Sequence, residues 1–217
     1  MEGVMFIGVS GLIGVGKTSL TKVLAASLGY KPCFEPVEEN PYLEDFYRDM
    51  NRWTFNMQLY LLAERFRLHQ EVIWDPCHQT GGGIVQDRTI YEDTIFARMH
   101  REDGLMDERD YQVYINHFSI MRRYLVYPDM ILYLRVKPEV AMARIKKRGR
   151  DAEVGIEMPY LERLFEGYED FADEMKRYTV VLELDWENSP SQAGELVEAI
   201  FSEQRRNRKF LRSLRRI

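Results

Sequence analysis

The 217-residue chain lacks several things, and each shortage excludes a class of protein. Cysteine is scarce: Cys33 and Cys77 form neither a CxxC pair nor a His-spaced set. No disulfide framework or zinc site is therefore expected, only inert thiols in a reducing compartment. No apolar run reaches membrane-spanning length, and the N-terminus carries Glu2 in place of a basic leader. The expected location is the cytoplasm, with no membrane span. An excess of base is also missing, since 30 Lys+Arg stand against 35 Asp+Glu for a net charge of −5. That balance speaks against nucleic acid as a partner. Repeats, low-complexity tracts, linkers and hairpin signals are absent too. What remains, 45% hydrophobic and 30% charged, builds an ordinary core. The expectation is one domain over residues 1–217.

The charge is unevenly placed. Residues 205–217 hold seven bases (Arg205, Arg206, Arg208, Lys209, Arg212, Arg215 and Arg216) and no acid, leaving 23 bases against 35 acids elsewhere. Phe210, Leu214 and Ile217 stand at i, i+4 and i+7, so the spacing predicts a basic C-terminal helix over about 190–217. It would dock on the acidic body or a partner subunit; membrane-surface or nucleic-acid contact is the alternative.

Strand and helix signals alternate. Val4–Val9, Cys33-Phe34, Ile84–Gln86, Met130–Val136 and Val180–Leu184 read as strands. Helical spacing covers 17–28, 41–50, 54–74, 89–101, 108–126, 139–147, 158–177 and the stretch from 190. Gly29 is a C-cap, and Gly81-Gly82-Gly83 a turn. The predicted fold is α/β, a five-stranded parallel sheet with helices on both faces.

Gly11-Leu12-Ile13-Gly14-Val15-Gly16-Lys17-Thr18 fits GxxxxGK[ST] between a strand and a helix. Glycines let consecutive backbone N–H groups wrap a polyphosphate at a helix N-terminus. Lys17 would neutralise the β- and γ-phosphates, with Thr18 on Mg²⁺ and Ser19 beside them. No Asn-Lys-x-Asp follows Met130–Val136, as a GTPase would require, and no strand ends in Asp-Glu, as in motor ATPases. Instead Glu35 follows the second strand, Asp87-Arg88 the third, and a basic cluster spans 144–150. Strand C-termini line the ligand crevice of such sheets, so the layout is that of a small P-loop kinase with a lid.

These residues carry a family resemblance. Glu35-Pro36-Val37-Glu38-Glu39-Asn40-Pro41-Tyr42, Asp87-Arg88-Thr89-Ile90-Tyr91-Glu92-Asp93 and Arg144-Ile145-Lys146-Lys147-Arg148-Gly149-Arg150 resemble the three signatures of deoxynucleoside kinases. Trp53-Thr54-Phe55-Asn56-Met57-Gln58 through Arg65 is similar to the family's base-binding helix. The likeness spans about residues 4–185 and is nearest to the bacterial deoxyadenosine/deoxyguanosine kinase type.

The resemblance implies a catalytic role for Glu35 as acceptor of the 5′-OH proton; a capping acid is the bland alternative. It implies Asp87 on the metal, directly or through water, and Arg88 orienting Glu35. Asp87 as N-cap of the following helix is the other reading. Gln58 and Arg65, seven residues apart, fall roughly 20° from alignment on one helix face. With Asp93 they match a base edge bearing an exocyclic amine beside an unprotonated ring nitrogen, as in adenine and cytosine. Phe96 would stack on that base, although a core position suits it equally. Tyr47 and Glu153 match the positions that hold the sugar 3′-OH. Arg144, Arg148 and Arg150 belong to a lid over about 144–155, with Arg144 and Arg148 one turn apart for clamping phosphates.

The implied activity is transfer of the ATP γ-phosphate to a deoxynucleoside, deoxyadenosine first and deoxycytidine or deoxyguanosine after it, with Mg²⁺ and a homodimer. A thymidylate-kinase-like enzyme and a non-catalytic subunit of the same fold are the rivals.

Overall fold

The computed structural model describes residues 5–35, 40–74, 82–150, 153 and 155–187. The stretch expected as a basic C-terminal helix, Cys77, Gly81, residues 36–39 and Asp151, Ala152 and Val154 of the segment expected as a lid lie outside them.

Five strands form one parallel sheet in the order β2-β3-β1-β4-β5. They are β1 (Phe6–Gly11), β2 (Lys31–Cys33), β3 (Ile84–Asp87), β4 (Met130–Arg135) and β5 (Val180–Asp185). The central strands β1 and β3 are buried along their whole length, and β4 up to Arg135. Helices cover both faces, which is why these strands read as unbroken apolar runs. The edge strands β2 and β5 are half-exposed and correspondingly mixed in sequence.

Seven α-helices are described: α1 (Lys17–Leu28), α2 (Leu43–Arg48), α3 (Met50–Trp74), α4 (Asp93–Glu102), α5 (Glu108–Arg122), α6 (Pro138–Arg148) and α7 (Met158–Met175). Helix α6 has Pro138 in its first turn and Gly149, at φ +65°, as its C-cap. Its last turn carries Lys146, Lys147 and Arg148, favourable at the negative end of the helix dipole. Helix α7 buries Leu161, Leu164, Tyr168, Phe171 and Met175, a helical stripe packed into the central core.

Several predicted helices change at their ends: those expected over 41–50 and 54–74 run Leu43–Arg48 and Met50–Trp74. The stretch expected as one helix over 89–101 is a 3₁₀ turn, Ile90–Glu92, leading into α4. Thr89 caps that turn: its N–H donates to the Glu92 carboxylate at 2.8 Å. The cap is thus Thr89, and Asp87 remains the last residue of β3. The helix expected to reach 126 stops at Arg122, where Arg123 and Tyr124 turn back onto Ile120 and Met121.

Parallel strands aim their carboxyl ends one way, so the phosphate loop, Glu35, Asp87 and Trp186 share one rim of the sheet.

Candidate active site

That rim opens into a cleft of about 900 Å³. The phosphate loop forms its floor. Gly11, Gly14 and Gly16 adopt φ of +140°, +82° and +103°, values that bend the backbone around a concavity. Gly14 is the tightest, because a Cβ there would lie 2.6 Å from Ile145 Cγ1 and 3.1 Å from the Ala141 carbonyl. Gly14→Ala is therefore expected to cost about 1–3 kcal/mol from backbone strain alone. It should also push α6 off the loop and weaken ATP binding. Thermal melts with and without ATP check this; an unchanged melt and an unchanged ATP shift would mean the loop tolerates the methyl.

Lys17 crosses the loop, its Nζ donating to the carbonyls of Gly11 (2.9 Å) and Leu12 (2.7 Å). Burial, with Arg88 nearby, lowers its ammonium to about 8. Thr18 and Ser19 line the cleft at the start of α1. The Thr18 hydroxyl donates to Asp87 Oδ2 at 2.5 Å, while Asp87 Oδ1 is buried with no hydrogen-bond partner among the described residues.

Arg88 is the one described non-glycine residue at positive φ, +61°. This left-handed conformation is held by its own N–H on the Val9 carbonyl (2.9 Å) and by the Thr89–Glu92 cap immediately after it. Glu92 in turn accepts from the Tyr168 hydroxyl at 2.9 Å. The turn directs the Arg88 guanidinium toward Glu35, Nε to Oε2 3.3 Å, and over the Phe96 ring at 4.9 Å from its centroid. Phe96 is both core and cleft wall.

Glu35 receives a second cation. Arg65 Nε donates to Glu35 Oε1 at 3.0 Å, its Nη2 reaches the same oxygen, and its Nη1 pairs with Asp93. Burial alone would raise the Glu35 carboxyl. Arg65, Arg88 and Lys17 outweigh it and hold Glu35 down at about 2. Asp93 is fully buried behind Arg65, away from the cleft wall, so it acts on the cleft through that arginine.

Gln58 is 1% exposed and lines the cleft, yet neither its Oε1 nor its Nε2 has a partner among the described residues. This removes the reading of Gln58 and Arg65 as a solvated helical face. A buried amide without partners is costly unless something entering the cleft completes it.

After α6, Glu153 accepts two contacts from Arg148 Nη2, at 2.5 and 2.6 Å, and Arg150 lies 3.8 Å away. Tyr47 faces this group, its phenol raised by burial and by the Glu153 charge. Arg144 does something the motif did not suggest. Its guanidinium donates to the carbonyls of Val15 (3.0 Å), Trp186 (2.9 Å) and Glu187 (2.9 Å), strapping α6 to the phosphate loop and to the end of β5. It lines the cleft from that position, apart from Arg148.

Asn40, Tyr160 and Trp186 also line the cleft and were not singled out from the sequence. Asn40 sits within a recognised motif, which was the available signal. Nothing local marks Tyr160 or Trp186, since each reaches the cleft through long-range packing. Cys33 is half-buried, and burial raises its thiol to about 11, as an inert thiol requires.

A nucleotide-wrapping loop, a carboxylate between two arginines and an unsatisfied amide, all at one sheet rim, define a P-loop kinase for a small acceptor. The comparisons narrow the class. A model of the family described as deoxynucleoside kinase matches residues 7–206. A deoxyadenosine kinase of Dictyostelium discoideum is 41% identical over 201 residues, 92% of this chain and 80% of its own length. A deoxyadenosine/deoxycytidine kinase of Bacillus subtilis is 46% identical over 168 residues, 76% of this chain and 75% of its own. The solved structure of deoxyadenosine kinase from M. mycoides with bound dCTP has a TM-score of 0.81 at 32% identity, covering 92% of this chain and 100% of that one. The chain belongs to the deoxynucleoside kinase family and is an ATP-dependent phosphotransferase.

Proposed function

We propose that the protein moves the γ-phosphoryl group of ATP to the 5′-OH of a deoxynucleoside, with deoxyadenosine preferred and deoxycytidine or deoxyguanosine as further acceptors. The observation that carries this reading is Gln58, a buried amide lining the cleft from the same helix as Arg65 and unpartnered among the described residues. Its oxygen suits the adenine 6-amine and its N–H₂ the N1 lone pair; cytosine offers the same pattern. The names of the Dictyostelium and Bacillus relatives point the same way.

In this reading the 5′-oxygen attacks the γ-phosphorus, the β–γ bridging oxygen leaves with ADP, and Glu35 takes the hydroxyl proton. Arg88 holds Glu35 and the hydroxyl together, while Gln58, Phe96 and Arg65, itself held by Asp93, fix the base. Tyr47 and Glu153 hold the 3′-OH. Lys17, Arg148 and Arg150 gather around the transferring group, where negative charge spreads over its oxygens. Arg144 braces the phosphate loop through the Val15 carbonyl.

The Thr18 hydroxyl and Asp87, with its unpartnered buried oxygen, fit a hard cation such as Mg²⁺. Phosphate oxygens and water would complete its shell; the ion supplies neutralisation of the phosphate charge. EDTA is expected to abolish transfer and excess Mg²⁺ to restore it, with Asp87→Asn needing more Mg²⁺. An identical Mg²⁺ titration in Asp87→Asn would remove Asp87 from the metal site.

A panel of four deoxynucleosides and four ribonucleosides with radiolabelled ATP, beside a dTMP control, tests the assignment. Label on deoxyadenosine is expected. Label on dTMP but not on deoxyadenosine would turn the reading to a thymidylate-kinase-like enzyme, and no label anywhere to a non-catalytic subunit. The protein is read as one cytoplasmic kinase domain acting as a homodimer. No helix among the described residues is long and apolar enough to cross a membrane. Light scattering should return twice the chain mass, and a monomer would end the dimer proposal.

A further inference from the structure

Asn40 lines the cleft but has no part in the chemistry above. It is 7% exposed and stands just ahead of α2, where its Oδ1 accepts the backbone N–H of Tyr42 at 2.9 Å. The two ends of an amide are alike in shape, so its orientation follows from its hydrogen bonds. A backbone N–H only donates, so the Asn40 oxygen must face Tyr42 and its N–H₂ must turn the other way. That Nδ2 is buried and has no partner among the described residues. A donor fixed in direction, desolvated and unpaired at a cleft wall calls for an acceptor on the molecule that fills the cleft.

Which acceptor follows from where the walls stand. Gln58 and Arg65 project from α3, whereas Asn40 belongs to the wall made by the lead-in to α2 together with Leu43 and Tyr47. A base whose pairing edge meets Gln58 turns a different edge toward Asn40. On a purine the remaining edges carry acceptor nitrogens, N7 and N3. A pyrimidine has only C5–H and C6–H beyond its pairing edge and O2.

We infer that Asn40 Nδ2 donates to a purine ring nitrogen outside the pairing edge, N7 or N3, and so favours purine over pyrimidine deoxynucleosides. The inference rests on the deoxynucleoside reading above and sharpens its specificity.

The test uses two variants. Asn40→Asp keeps an oxygen for the Tyr42 N–H and removes the donor; Asn40→Ala removes both. kcat/KM is measured for deoxyadenosine, 7-deaza- and 3-deaza-deoxyadenosine and deoxycytidine. Both variants should lower the deoxyadenosine-to-deoxycytidine ratio by about three- to tenfold, the range for one neutral hydrogen bond. The native enzyme should handle one deaza analogue worse than deoxyadenosine by a similar factor, and Asn40→Asp should lose that discrimination. The sensitive analogue identifies N7 or N3. Equal loss on deoxyadenosine and deoxycytidine in Asn40→Asp would overturn the inference, leaving Asn40 a turn residue. So would a native enzyme indifferent to both deaza changes. A native enzyme that phosphorylates no deoxynucleoside would overturn the underlying reading and this inference with it, an outcome distinct from either of those.

Discussion

Glu35→Gln is expected to lower kcat by about 10²- to 10⁴-fold, the range for losing a positioned proton acceptor. Deoxynucleoside affinity should change little, because Gln keeps the shape and can still accept the Arg65 hydrogen bonds. Burial opposes ionisation of Glu35, but Arg65, Arg88 and Lys17 win and hold it near about 2. A carboxylate that acidic is a weak proton acceptor at neutral pH, since transfer is best when the acceptor's pKa lies near the working pH. Two effects offset this. A loose phosphoryl-transfer transition state asks little of a base. An arriving base edge would also offer Arg65 another partner, and as Arg65 leaves Glu35 the carboxyl rises. In the free enzyme, which kcat/KM reports, Glu35 stays ionised through the ordinary carboxylate range and produces no acid limb there. Single-turnover rates and calorimetric binding of deoxyadenosine make the test; near-normal turnover in Glu35→Gln would remove it as proton acceptor.

Arg65→Ala should have the largest effect on stability, about 3–5 kcal/mol at neutral pH, the cost of breaking a buried ion pair. A protein of this size would lose about 6–20 °C in Tm. Arg65 serves Glu35 and Asp93 together, with side-chain exposures of 4%, 11% and 0% respectively, so its loss strands buried carboxylates. The pH dependence gives the sign. Glu35 has a depressed folded pKa, so its stabilisation is full above the ordinary carboxylate pKa and is lost as pH falls toward about 2. In Arg65→Ala the chief opposing cation is gone, so protonation relieves the fold where it costs the native protein. The gap in Tm between the two should narrow steadily from pH 7 to pH 4. Calorimetry at several pH values measures it, and a gap constant with pH would mean the arginine acts through packing alone. Arg65→Lys should fall between, since an ammonium cannot reach both carboxylates with a planar fork.

Much of the site was legible without coordinates because its parts are local. The phosphate loop works through consecutive backbone groups, so residues 11–18 carry it in their spacing. Asp87-Arg88 could be located at a strand end, and Gln58 and Arg65 on one face of a helix. The choice between a binding face and a solvated one was beyond the pattern, because helical spacing is the same for both. Burial of Gln58 at 1% and Arg65 at 3% excludes the solvated face, and binding there stays a proposal. Arg144 and Arg148 show the opposite limit. One turn apart on α6, they looked alike, yet Arg144 straps the loop while Arg148 pairs with Glu153.

The sequence by itself determined the scarcity pattern, the alternating strands and helices, the nucleotide loop and the positions of Glu35 and Asp87-Arg88, all short-range or periodic features. Only the tertiary structure decided that Thr18 meets Asp87 across 69 residues and that Arg65 joins Glu35 across 30. It alone placed Asn40 at the cleft wall, with its oxygen taken by the Tyr42 N–H and its Nδ2 buried without a partner among the described residues. Periodicity states which face a residue occupies. Which groups then meet, and which are left unpaired, depends on how α3 and the lead-in to α2 pack over the strand ends.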